Sequence, residues 1–260
     1  MHFDGETERT PRGRVDLAWA RNALRSALSD APKVEPAPLR RTHFGDFELL
    51  EVLGRGATAT VYRARQRSLG REVALKIMRE ADLGDDAEVQ RFLFGARAAA
   101  ELDHPNIAPI YQVGMAHGVP FVAMRLFDGG TLAQSRARLL NLPVSVVTLL
   151  AKIARAVHYA HERGVLHRDL KPANVVLDEH DEPYVVDFGF AKHLDERALT
   201  SKPSILVGTM GYMAPEQAAG ARSLTFASDI YALGAILYEL LTGKLPNDGA
   251  SVAEQLERLI

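Results

Sequence analysis

The sequence predicts an α+β protein built in two parts, a small β-rich lobe followed by a larger helical one. Three observations carry this reading. From Phe44 onward, short apolar or alternating runs are separated by glycine turns; after Gly130 the apolar residues recur at helical spacing; and two long apolar-faced segments each stop at a glycine.

In chain order, "FELLEVLG", "ATVYRAR" and "EVALKIM" read as three antiparallel strands joined by the turns "GRG" and "RSLG". Residues 86–102 follow with helical periodicity. "NIAPIYQVG" and "VPFVAMRLF" then supply two more strands, giving a five-stranded antiparallel sheet with one helix between its third and fourth strands. Beyond Gly130, Val144–Arg163 forms a long helix stopped by Gly164, and Ser228–Thr242 another stopped by Gly243. Residues 1–43 differ in texture. They carry scattered charge and the proline cluster "APKVEPAP", which reads as an extended arm and linker, with Val15–Leu28 as a possible short helix. The expected folded unit is therefore 44–260, its first lobe about 44–127 and its second about 128–260.

Composition narrows the function. With 260 residues, 47% of them hydrophobic, the chain can bury a substantial core. A formal net charge of −2 gives no bulk attraction to nucleic acid or to an anionic membrane. There is no cysteine, which excludes disulfides, thiolate catalysis and cysteine-based zinc sites. The polar N-terminus lacks the apolar stretch of a secretory signal, and no run approaches the roughly 20 apolar residues of a membrane span, so a cytoplasmic location is expected.

Four stretches carry chemistry. In "LGRGATATVYRAR", Gly54 and Gly56 let backbone N–H groups approach a phosphate, and Val61 offers an apolar contact to a flat ligand such as a purine. A plain glycine hairpin would use the same letters, so this stretch decides nothing alone. In "VALK", Lys76 lies inside a strand with its stem covered, and its ammonium needs an anion. "HRDLKPAN" and "DFG" then bring Arg168, Asp169, Lys171, Asn174 and Asp187 into one compact segment. A carboxylate can orient an incoming hydroxyl and take its proton. An amide oxygen with a second carboxylate can hold Mg²⁺ against nucleotide phosphates, and a lysine beside the base can neutralise the migrating phosphoryl oxygens. Any one of these residues could belong to a solvated loop; the whole set in this order points to phosphoryl transfer.

Over residues 44–260 these motifs resemble the eukaryotic-like serine/threonine protein kinases, bacterial type. The resemblance implies ATP and Mg²⁺ as cofactors and a protein substrate with a Ser/Thr acceptor. It places ATP against Leu53, Gly54, Arg55, Gly56, Val61, Ala74 and Lys76, with Met124 as gatekeeper and the backbone of Arg125–Phe127 as the hinge that meets adenine. It makes Asp169 the catalytic aspartate, with Lys171 and Asn174 beside it, and Asn174 and Asp187 the metal ligands. "GTMGYMAPE" resembles the end of an activation segment, where Thr209 would bridge to Asp169 and Lys171, while Thr200, Ser201 and Ser204 would be phosphate acceptors within reach of Arg168. "SDIYALG" supplies Asp229, which would brace the catalytic loop.

The departures from the family pattern are specific. Within "RFLFGARAAAEL", Gly95 stands where the family has a glutamate that pairs with the strand lysine, at a cost of about 1 kcal/mol relative to alanine in a helix. Glu88 is seven residues earlier on the same face, about 10 Å along the axis. Ala59 occupies the third glycine position. The chain is expected to lack the last helices of its second lobe, and with them the arginine that pairs with Glu216, which would leave apolar surface for a partner to cover. A nucleotide-binding pseudokinase with little turnover is the alternative that Gly95 raises. A small-molecule phosphotransferase is disfavoured by "GTMGYMAPE".

Overall fold

A computed structural model describes residues 42–56, 58–188, 210–219, 225–249 and 252–259. The five expected strands are present as β2 (Phe47–Arg55), β3 (Ala59–Gln66), β4 (Arg71–Met78), β5 (Ile110–Ala116) and β6 (Val119–Met124), and a two-residue strand, β1 (His43–Phe44), adds to the edge. The antiparallel sheet runs β1-β2-β3-β4-β6-β5. Its edge begins one residue ahead of the expected boundary because His43 pairs with Glu48 and Leu49 N–H donates to Thr42 O at 2.8 Å. β6 reads "VPFVAM" and is buried at every position, as a continuous apolar run between β4 and β5 requires.

Between β4 and β5 lies helix α1 (Asp86–Ala100), which packs against β5 and β6. Asp85 starts it by accepting from the N–H groups of Ala87 and Glu88 at 2.9 and 3.2 Å. The residues buried on it are Phe92, Leu93, Gly95, Ala96 and Ala99, whereas Phe94 is exposed. Gly95 thus lies on the face turned to the sheet.

β5 begins at Ile110, four residues later than "NIAPIYQVG" suggests, because the preceding backbone is committed elsewhere. Val185 N–H donates to Asn106 O at 2.9 Å and Ala108 N–H donates to Val185 O at 3.0 Å. Ile107 so forms a parallel bridge to Val185 of β8 (Pro183–Val185), which pairs with β7 (Val175–Leu177) in a small second sheet. The Asn106 side chain reinforces the join by donating to Glu182 Oε1 at 2.7 Å and Pro183 O at 2.9 Å.

The crossing from sheet to helices is fixed on the same hairpin. After β6 the chain leaves the ladder at Arg125, whose N–H donates to Pro109 O at 3.0 Å. Gly129 N–H then donates to Leu177 O, and Leu177 N–H to Gly130 O. At Gly129 a Cβ would stand 2.3 Å from Asp178 O, so only glycine permits this approach. Helix α2 (Leu132–Leu139) follows, capped by Thr131 and Gln134, and then α3 (Pro143–Glu162) with proline at its start. α5 (Phe226–Thr242), preceded by the short α4 (Pro215–Ala218) and followed by α6 (Val252–Leu259), ends at Gly243 with φ 74°. Ile153, Ala156, Val157 and Ala160 of α3 meet Ala232, Ile236 and Leu240 of α5 in one core with Val175, Leu177 and Val185. Ile230, Tyr238 and Leu241 of α5 remain exposed.

Candidate active site

The loop between α3 and β7 carries "HRDLKPAN", and α5 holds it from below. Asp229, 1% exposed, accepts from His167 N–H and Arg168 N–H at 2.8 Å each, and its Oδ2 lies 2.8 Å from His161 Nε2. The brace expected of Asp229 is present. A buried carboxylate is stable here because donors surround it. His167 is fully buried: its Nε2 lies 2.9 Å from Val186 O, its Nδ1 receives Asp169 N–H at 3.3 Å, and its ring packs 4.9 Å from Phe188. These bonds hold Arg168 and Asp187 at φ 69° and 67°, left-handed backbone that costs a non-glycine residue energy and persists where surrounding contacts over-determine it.

On this frame Asp169, Lys171 and Asn174 come together. Lys171 Nζ lies 2.8 Å from Asp169 Oδ2 and 3.1 Å from Oδ1. Asn174 Nδ2 donates to Asp169 O at 2.7 Å and to Oδ2 at 3.2 Å. Asp187, at the end of the β8 segment, pairs its Oδ1 with Lys76 Nζ at 2.7 Å. The strand lysine, 9% exposed, therefore has its anion, and that anion comes from the "DFG" carboxylate. Glu88 pairs with Arg91 on its own helix at 3.8 Å.

Of the expected ATP residues, Gly54, Val61, Ala74, Lys76 and Met124 lie along one face of the sheet, because directly paired residues share a face. One row is Gly54, Val61, Lys76 and Val122; the next is Glu51, Arg63, Ala74 and Met124. Ala74 and Met124 are buried, whereas Leu53 and Arg55 are exposed. Gly56 N–H closes the glycine turn on Ala59 O at 2.8 Å. Phe127 turns its ring onto Tyr184 of β8, centroids 4.2 Å apart, with the Arg125 guanidinium over both.

Of the activation-segment residues, Thr200, Ser201, Ser204 and Thr209 lie outside the described residues, and so does the expected Thr209 bridge. Glu216 is described. Its Oε1 accepts from Ser228 Oγ of α5 at 2.7 Å. Sequence reading passed over two further contacts. Gln217 Nε2 donates to Arg168 O at 2.9 Å, tying the "APE" segment to the "HRDLKPAN" loop. Glu239, 2% exposed, takes Arg136 and the Tyr212 hydroxyl at 2.5 Å each. Burial and the Glu239 carboxylate push the Tyr212 phenol well above its ordinary range. "LLTG" gives no local sign that its preceding glutamate is buried.

An antiparallel sheet with one helix, joined to a helical lobe through a glycine crossing and holding this loop beneath it, is the fold of a protein kinase. The family model "Protein kinase domain" matches residues 47–260. The chain is 39% identical over 208 residues to serine/threonine-protein kinase PrkC of Bacillus subtilis, covering 80% of this chain and 32% of that protein. It is 41% identical over 209 residues to a probable serine/threonine-protein kinase, PknB, of Lactococcus lactis, covering 79% and 33%. The crystal structure of the PknI kinase domain from Mycobacterium tuberculosis, a C20A mutant, matches with a TM-score of 0.65 and 30% identity over 82% of this chain and 80% of that one. The chain belongs to the protein kinase family, among the bacterial-type eukaryotic-like serine/threonine kinases. It spans about a third of the length of the curated relatives it matches. Among the described residues no helix is long and apolar enough to cross a membrane.

Proposed function

We propose that the chain transfers the γ-phosphoryl group of ATP to serine or threonine hydroxyls of proteins, with residues 44–260 as the catalytic unit. The observation that carries this reading is the cluster in which Asp169 holds Lys171 at 2.8 Å while Asn174 bonds both its main chain and its carboxylate. Asp169 orients the acceptor hydroxyl and takes its proton as the oxygen bonds to the γ-phosphorus. The bond from that phosphorus to the β–γ bridging oxygen breaks, and ADP leaves. Lys171 neutralises charge on the transferring group. Lys76 places the α- and β-phosphates, and the glycine turn at 54–56 covers them.

Asn174 and Asp187 would hold Mg²⁺. One amide and one carboxylate are hard oxygen donors that suit a cation which keeps waters and phosphate oxygens as its remaining ligands. Both Asn174 bonds use its amide nitrogen, which keeps the carbonyl oxygen for a cation. Among the described residues no group of three His, Cys, Asp or Glu side chains could hold a metal by itself. Bound there, the cation would supply neutralisation of charge on the nucleotide phosphates.

The pseudokinase reading rests on Gly95. Against it stand the retained Asp169, Asn174 and Asp187, none of which a pure scaffold needs, and the kinase names of the relatives. Loss of the helix glutamate weakens turnover without removing the nucleotide site. Mg-ATP binding, measured together with phosphoryl transfer to a generic basic protein, tests the choice: binding with transfer supports the kinase, and binding without transfer supports the pseudokinase.

A further inference from the structure

Arg63 stands on the cleft face of β3, two residues from Val61 and directly opposite Ala74. Its Nε donates to Glu72 Oε2 at 2.6 Å, which fixes the plane of the guanidinium. Its other end then reaches Asp128 Oδ1 at 3.4 Å and Glu51 Oε1 at 3.7 Å. Asp128 is the residue after the Arg125–Phe127 hinge, and the next residues, Gly129 and Gly130, are already bonded to β7. The Arg63–Asp128 contact therefore joins the roof of the cleft to the helical lobe at the outer edge of the purine site.

We propose that Arg63 is a positioning residue for the nucleotide, forming with Asp128 a strap that sets the opening between the lobes at that edge. The inference rests on the cleft being a nucleotide site, as proposed above. Arginine is required chemically, because one planar fork must serve Glu72 and Asp128 together; a lysine ammonium is a point charge without that fork. The side chains are part exposed, 34% for Arg63 and 69% for Asp128, so the strap is a modest one and salt screens it. It also leaves the catalytic cluster untouched, so it acts on affinity rather than on the chemical step.

The test is a double-mutant cycle on the whole chain, reading Kd for Mg-ATP by calorimetry and, separately, KM and kcat for transfer. Asp128→Asn alters an exposed side chain outside the sheet, so it reads the strap even if Arg63→Gln disturbs Glu72. Each single variant is expected to weaken ATP binding about two- to fivefold, the double variant no further, with kcat at saturating ATP nearly constant. Asp128→Glu is expected to keep affinity, Arg63→Lys to lose it, and high salt to bring the wild type to the Asp128→Asn value. Unchanged Kd in Asp128→Asn, additive losses in the double variant, or a fall in kcat at constant KM would overturn the strap. Wild type that binds ATP but transfers nothing would overturn the kinase reading and leave the strap to be judged on Kd; wild type that binds no ATP would overturn both.

Discussion

Lys76 Nζ lies 2.7 Å from Asp187 Oδ1, so the strand lysine is held by the same carboxylate that is proposed to hold the metal. Position 95, where the family's glutamate would otherwise serve that lysine, is a glycine on the buried face of α1. With Asp187 engaged by a cation, as proposed, Lys76 would find no carboxylate at position 95.

Gly95→Glu should therefore raise the transfer rate, whereas Gly95→Ala serves as the control for helix propensity. The propensity gain is at most about 1 kcal/mol in either variant, and each 1.4 kcal/mol of transition-state stabilisation is about tenfold in rate. Rates for the two variants decide the matter. A rise in the glutamate variant alone supports a missing ion pair; equal gains in both would mean that Gly95 is only a flexible point.

The family resemblance makes Arg168 the proposed cation for a phosphate placed upstream of Gly208. Incubation with Mg-ATP followed by mass spectrometry should find phosphate on Thr200, Ser201 or Ser204. Phosphate confined to residues 1–43 would count against control through this segment.

Glu239 is a buried carboxylate with two partners among the described residues, and removing either leaves part of it unsatisfied. Tyr212→Phe should cost about 1–3 kcal/mol, read as a lower urea midpoint at constant slope. Arg136→Ala should cost more, because it leaves the charge rather than one hydrogen bond uncompensated. Equal and negligible losses would show that Glu239 is accommodated some other way.

The surroundings of His104 favour its neutral form. Burial lowers its pKa from the ordinary 6.5, and its Nδ1 accepts Asn106 N–H at 3.0 Å, which the protonated ring could not do. Because the folded value lies below the unfolded one, its contribution to stability is present above about pH 6.5 and is lost as pH falls through the folded value. Thermal melts between pH 7.5 and 5 should thus fall more steeply for wild type than for His104→Asn. Parallel curves would remove His104 from the pH response.

The two-part architecture, the five main strands and the long helices were legible because each is written locally, in apolar period and in the glycines that end it. The clustering within "HRDLKPAN" was legible for the same reason: the stretch is contiguous, and Asp169, Lys171 and Asn174 do meet. What escaped was long-range. His161 reaches Asp229 across 68 positions, Arg136 reaches Glu239 across 103, and Arg63 reaches Asp128 across 65. β5 started late because Asn106 and Ala108 bond to Val185, a partner nearly 80 residues away that no local pattern announces. Glu216 found Ser228 because α5 passes beside it, a packing fact the letters "APE" do not contain.

The most direct test of the central claim is phosphoryl transfer by the wild-type chain and by Asp169→Asn, measured with γ-labelled Mg-ATP and a basic protein acceptor, alongside ATP affinity. Asp169 touches Lys171 and Asn174, which lie outside the sheet proposed to bind the nucleotide. Wild type should transfer label, and the variant should lose transfer by orders of magnitude while its ATP affinity stays nearly unchanged. Equal transfer by the two proteins would contradict the assignment of Asp169 and the kinase mechanism built on it.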